Sequence, residues 1–194
     1  MLLAGGEGRR MGRPKGLVTI GGEPMVSFQL ARLQAAMVRD VRIVVGENRP
    51  AYLEAMPELA PCLVDDPRCS HGPFGSLCAG IEALEPYVWE QLLVLPIDVP
   101  CCSPSIIAML RSMSAEAAVP RHGGYGGHPV ILSRNFAESL LRRDVTSSRL
   151  DHVLRELAPG ARRDVNVDEA DVIADLNTPA DVARFEASRR SERI

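Results

Sequence analysis

A chain of 194 residues, 46% apolar and 24% charged with a formal net charge of −3, can build one domain with a real core but hardly two. The acidic balance gives no footing for a nucleic-acid surface, and no apolar run is long enough to span a bilayer or to read as a signal peptide. The five cysteines (Cys62, Cys69, Cys78, Cys101 and Cys102) are odd in number and lack C-x-x-C spacing, which fits free thiols in a reducing cytoplasm rather than a disulfide framework or a zinc site.

Strand-like apolar runs alternate with helical patterns along the chain. Leu2-Leu3 reads as the end of a strand. Only Met1 precedes it, so this strand is either unusually short or starts upstream of the chain as given. Residues 25–37 carry Met25, Phe28, Leu30, Leu33 and Met37 at helical spacing. Residues 41–45 form a compact strand stopped by Gly46, and 62–64 a short one before Asp65-Asp66-Pro67. A helix over 74–84 is entered through Gly72-Pro73, and 92–97 is a buried strand. Ser103-Pro104 opens a further helix, with the serine as cap and the proline at the first helical position. With aromatics at 4%, the core must come from Leu, Val, Ile, Ala and Met.

Beyond Ala115 the rhythm changes. Residues 117–119 and 129–132 read as strands joined by the glycine-rich turn 121–127, an antiparallel excursion. Helices follow at 136–143 and 148–157, then strands at 163–167 and 172–174. Thr178-Pro179 opens a last helix, and the polar tail from Ser188 is expected to fray. Fully apolar strands separated by helices predict a single Rossmann-like α/β domain over residues 1–194, a mostly parallel twisted sheet flanked by helices.

The chemistry concentrates at the start, in Leu2-Leu3-Ala4-Gly5-Gly6-Glu7-Gly8-Arg9-Arg10-Met11-Gly12-Arg13-Pro14-Lys15. Glycines let backbone N–H groups approach an anion closely, and four basic residues stand against one acid. Such a loop suits a polyphosphate. It is not a Walker loop, because no Lys-Ser/Thr follows Gly12, nor a dinucleotide fingerprint, because Met11 takes the place of the third glycine. Nucleotidyl transfer also needs a carboxylate for Mg²⁺ at the carboxyl end of a strand, and Asp98 ends the apolar run 92–97. A turn or helix-capping aspartate is the plain alternative there.

The pattern L-A-G-G-x-G-x-R-M-G-x-x-K resembles the nucleotidyltransferases that build molybdenum-cofactor dinucleotides, the molybdopterin guanylyltransferase and cytidylyltransferase family. That resemblance implies a nucleotide-diphospho-sugar transferase-like fold. It implies Mg²⁺-dependent transfer of a nucleoside monophosphate from GTP or CTP to molybdopterin, with release of pyrophosphate. Lys15 and Arg9 would stabilise the triphosphate, and Asp98 would hold the metal. Leu3, Ala4, Gly5 and Gly6 would contact the nucleotide, joined by Asn48 and Asp66. In Gly127-His128-Pro129-Val130, which is similar to a segment of the cytidylyltransferase branch, His128 would line the acceptor pocket or serve as a structural turn histidine. Asp175 or Asn177 would add a metal contact or cap the last helix. A client molybdoenzyme is a further implied partner.

The two branches pull apart over the base. Gly6 and Asn48-Arg49 resemble the GTP branch, and the G-H-P-V segment the CTP branch. Residues 144–149 depart from the G-D-x-G-A-R segment of the cytidylyltransferase-like members, which leaves the acceptor open: another phosphorylated molecule such as a sugar phosphate stays in view. Two other classes stand beside the enzyme: a non-catalytic nucleotide-binding assembly factor, and a redox protein using Cys101-Cys102.

Overall fold

The computed structural model describes residues 1–6, 8 and 11–191, with side chains through Arg189. In chain order the first half holds β1 (Leu2–Leu3), β2 (Thr19–Ile20), β3 (Glu23–Pro24), α1 (Met25–Ala35), β4 (Ile43–Val45), α2 (Arg49–Ala55), β5 (Leu63–Asp65), α3 (Gly72–Glu82) and β6 (Gln91–Pro96). The second half holds α4 (Pro104–Arg111), β7 (Ala117–His122), β8 (Tyr125–Gly126), β9 (Val130–Ser133), α5 (Arg134–Leu140), α6 (Leu150–Glu156), β10 (Arg162–Asn166) and α7 (Pro179–Ser191).

The main sheet runs β10-β7-β9-β6-β1-β4-β5, with β8 hairpinned onto β7. β9 runs antiparallel to both of its neighbours; β5, β4, β1 and β6 pair in parallel, as do β7 and β10. The antiparallel excursion is therefore where the glycine-rich turn predicts it. Side chains of each strand alternate between two cores. Leu93 and Leu95 of β6 join Leu2, Ile43, Met25, Leu33, Ile107 and Leu110 on one face. Leu92 and Val94 join Val44, Leu77, Phe136, Leu140 and Leu154 on the other. Helices must cover both faces of such a sheet, and they do.

Several boundaries differ from the sequence reading. Residues 172–174 are not a strand; a short 3₁₀ turn, Ala170–Ile173, stands there. Its Val172 is fully buried and its carbonyl accepts from His128 N at 2.8 Å, so one apolar residue plugs the core instead of extending a ladder. α1 stops at Ala35 because Met37 turns left-handed (φ 58°) and Val38 N closes onto Leu33 O at 2.9 Å. α5 starts two residues early because the Ser133 hydroxyl accepts from Phe136 N. α6 is shorter than expected, and α7 continues through Ser191 past the expected fraying point. The helix α2 and the β2–β3 hairpin, which turns at Gly21-Gly22, were not anticipated.

Candidate active site

β1 lies between β4 and β6, and the chain winds outward from it in both directions. Leu3 is in register with Val44 on one side and Pro96 on the other, so the segments after all three strands leave the sheet at one edge. This is the crevice where open α/β sheets collect ligands.

The glycine loop is closely built. Ala4 N donates to Val44 O at 2.8 Å. A side chain on Gly5 would stand 3.1 Å from Ser76 Oγ and 3.2 Å from Asp66 Oδ2, and one on Gly46 would stand 3.3 Å from Gly5 O. A side chain on Gly6 would meet nothing within 4 Å among the described residues. Asn48 Nδ2 donates to Gly6 O at 3.1 Å, tying the end of β4 to the loop. Asp66 is buried beneath Gly5, its Oδ1 accepting from Arg68 N at 2.9 Å and its Oδ2 from the Ser76 hydroxyl. Arg9 lies outside the described residues.

Lys15 opens a 3₁₀ turn, Lys15–Leu17, directly after Pro14. Its Nζ reaches Asp98 Oδ2 at 2.5 Å and donates as well to Asn177 Oδ1. Asp98 and Asn177 belong to segments far apart in the chain, and Leu176 N donates to Asp98 O at 2.9 Å to join them. Both charged side chains are about one-fifth exposed, at 22% and 18%, so the pair faces the crevice without being lost in solvent. Asp175 is beside it: burial first, then the charge of Asp98, pushes the Asp175 carboxyl above the ordinary carboxylate value. The cap of α7 is made by others, since Thr178 N donates to Asp181 Oδ2 and Asp181 N to Thr178 Oγ1. Asn177 meets Lys15 instead, and Asp175 stands within electrostatic reach of Asp98 and Lys15.

Two supports escaped the sequence reading. Tyr52, wholly buried on α2, sets its phenol against Gly16: a Cβ there would lie 2.2 Å from the Tyr52 hydroxyl. The residue after Lys15 is therefore held by the helix that follows Asn48. Gln29 is the second, wholly buried on α1. Its signal was legible, since a glutamine stands at the apolar spacing between Met25 and Leu33.

His128 lies within electrostatic reach of Asp98. Its peptide with Pro129 is cis, and its Nδ1 is buried without a partner among the described residues. Burial holds its imidazole below the ordinary value of 6.5, against the opposing pull of the Val94 carbonyl and Asp98. The unfolded chain therefore takes up a proton near that value and the folded chain does not, so unfolding free energy should fall as pH drops below about 6.5. Urea denaturation at pH 7.5 and 5.5 checks this. The acid loss should shrink in His128→Gln; an equal loss in both proteins would place its origin elsewhere. The thiols of Cys101 and Cys102 are buried and pushed upward by desolvation, Cys101 to about 12, so neither supplies a thiolate near neutral pH.

A glycine loop facing a lysine–aspartate pair at the winding reversal marks a nucleotide-binding α/β protein. Residues 1–162 match the MobA-like NTP transferase domain, and the chain belongs to that family of nucleotidyltransferases. It is 34% identical over 137 residues to a molybdenum cofactor guanylyltransferase of Shewanella amazonensis, covering 68% of this chain and 66% of that one. A protein of the same name from Yersinia pseudotuberculosis is 28% identical over 99% of this chain and 96% of its own. Among solved structures, Rv0371c of Mycobacterium tuberculosis superposes with a TM-score of 0.79 at 21% identity, over 96% of each chain. The fold is that of the nucleotide-diphospho-sugar transferases. Among the described residues no helix is long and apolar enough to cross a membrane.

Proposed function

We propose that this protein transfers GMP from GTP to molybdopterin and releases pyrophosphate, as a step in molybdenum-cofactor biosynthesis. The observation that carries the reading is the Lys15–Asp98 pair, 2.5 Å apart, at the sheet's winding reversal beside the glycine loop. The names of the relatives and Gly6 favour guanine. Gly127-His128-Pro129-Val130 favours cytosine, so CTP is the second reading.

The acceptor phosphate attacks the α-phosphorus of the nucleotide, and the bond to the β-phosphate oxygen breaks. The protein's part is to place the phosphates in line and to neutralise the charge that develops. Lys15 does this at the phosphates, and Arg9 is assigned the same task. Backbone groups of Leu3, Ala4, Gly5 and Gly6 meet the nucleotide, with Asn48 holding Gly6 in place and Asp66 supporting Gly5 from beneath. His128, within electrostatic reach of Asp98, is assigned to the acceptor pocket.

Asp98 is the proposed Mg²⁺ ligand. The local chemistry fits that ion: the Asp98 carboxylate stands at the end of a sheet strand, 2.5 Å from Lys15, with a second acid, Asp175, within electrostatic reach of both. Mg²⁺ takes one or two carboxylates and completes its shell with phosphate oxygens and water. When bound it would neutralise phosphate charge that the protein alone leaves uncovered.

The test is pyrophosphate release with Mg²⁺ and purified molybdopterin, with GTP and CTP side by side and Asp98→Asn as control. Release with GTP, falling at least about 100-fold in the variant, is expected. Release with CTP alone would transfer the assignment to the cytosine branch. Nucleotide binding without release would exclude molybdopterin as the acceptor.

A further inference from the structure

Asp98 is aimed by a side chain outside the crevice. Pro96 to Val99 form a tight turn, closed by Val99 N donating to Pro96 O at 3.2 Å, with Asp98 in its third position. The two carbonyls flanking Asp98 point inward to Gln29. Gln29 Nε2 donates to Ile97 O at 3.0 Å and to Val99 O at 2.7 Å, and Gln29 Oε1 accepts from Cys101 N at 2.8 Å. The Asp98 carbonyl itself accepts from Leu176 N, and Ile97 N donates to Leu3 O at 3.0 Å. The peptide units around Asp98 are thus tied to three other segments: β1, α1 and the strand-less stretch before α7.

A carboxamide is suited to this place. Its two N–H donors meet two carbonyls while its oxygen meets one N–H, and Lys, Glu or Met offers no such set. Gln29 is fully buried, so unmet partners would have no water to turn to. Nothing about the fold of α1 requires a polar residue here. Its neighbours on the buried face are Met25, Val26 and Leu33.

We propose that Gln29 is a positioning residue for the nucleotidyl-transfer site: it clamps the turn that presents Asp98, and so sets the geometry of the divalent-cation ligand. This rests on the reading of Asp98 as that ligand.

The test compares Gln29→Met, close in size and without hydrogen bonds, with Gln29→Glu, which keeps the acceptor for Cys101 N. Asp98→Asn is run in parallel. Each is followed by thermal melting, by Mn²⁺ titration in the presence of GTP using electron paramagnetic resonance, and by turnover well below the melting temperature. Loss of a supporting partner of a metal ligand typically costs about 10- to 100-fold in affinity or rate. For both Gln29 variants the Mn²⁺ dissociation constant should rise and kcat should fall within that range, while KM for GTP changes less than about threefold. Folded variants with unchanged Mn²⁺ affinity and kcat would overturn the inference. So would failure of both to fold, because Gln29 would then hold the domain rather than aim the carboxylate. If Asp98→Asn leaves Mn²⁺ binding and turnover intact, the ligand assignment of Asp98 is what fails.

Discussion

Lys15→Met is expected to lower kcat about 1,000-fold while leaving the fold intact, because it removes the one cation seen among the described residues between Asp98 and Asn177. The side chain is replaced by one of similar length, so packing is little changed. What goes is charge at the place where phosphate charge develops. A second effect adds to the first. Lys15 opposes the upward push on Asp175 that burial and Asp98 exert, so its loss leaves two carboxylates facing each other with less compensation. Lys15→Arg should not restore the rate, since a planar guanidinium cannot reproduce an ammonium seated between an aspartate and an asparagine. Pyrophosphate release kinetics with a thermal melt decide it. A kcat within about tenfold of the parent would remove Lys15 from the chemistry.

Gly8→Ala should be almost as damaging, and for a steric reason. Gly8 has φ +62°, and a Cβ there would lie 2.1 Å from Arg13 O and 3.2 Å from Lys15 N. Neither obstacle is a movable side-chain tip. Gly8 and the Arg13–Lys15 backbone would have to move apart, taking Lys15 away from Asp98, and a displacement near 1 Å can cost about 100-fold in rate. Gly12→Ala is the matched comparison. Gly12 is also left-handed, at φ +69°, but a Cβ there meets nothing within 4 Å among the described residues. It should cost only the local backbone penalty of about 1–2 kcal/mol. Turnover and melting temperature measured on both variants test the distinction. Equal losses would show that conformational preference, not the close approach to Arg13, is the constraint.

Much of this protein can be read from residues close together in the chain. The two-sided apolar runs at 41–45 and 92–97 announce a covered parallel sheet. Asp98 stands out because it follows such a run, and Lys15 because it closes a glycine-rich basic loop. Elements without a strong period were harder. α2 begins directly after a turn-forming Asn48, and the apolar 172–174 segment serves as a single buried plug at Val172 rather than as a strand. Short apolar segments do not distinguish those uses, because neither periodicity nor length favours one over the other.

The class of chemistry was determined locally: spacing of glycines and cations over the first fifteen residues, and an acid at the end of a buried strand. The partners of those residues were decided only by the tertiary structure. Lys15 meets Asn177 across 162 positions of sequence, and Gln29 reaches the turn around Asp98 across about 70. Tyr52 fills the space that Gly16 leaves vacant. Such pairs depend on strand order, sheet register and the depth at which each helix packs, all set by burying apolar surface on both faces of the sheet. A polar residue on an apolar helix face signals that it has a partner; where that partner lies is known only once the layers have closed.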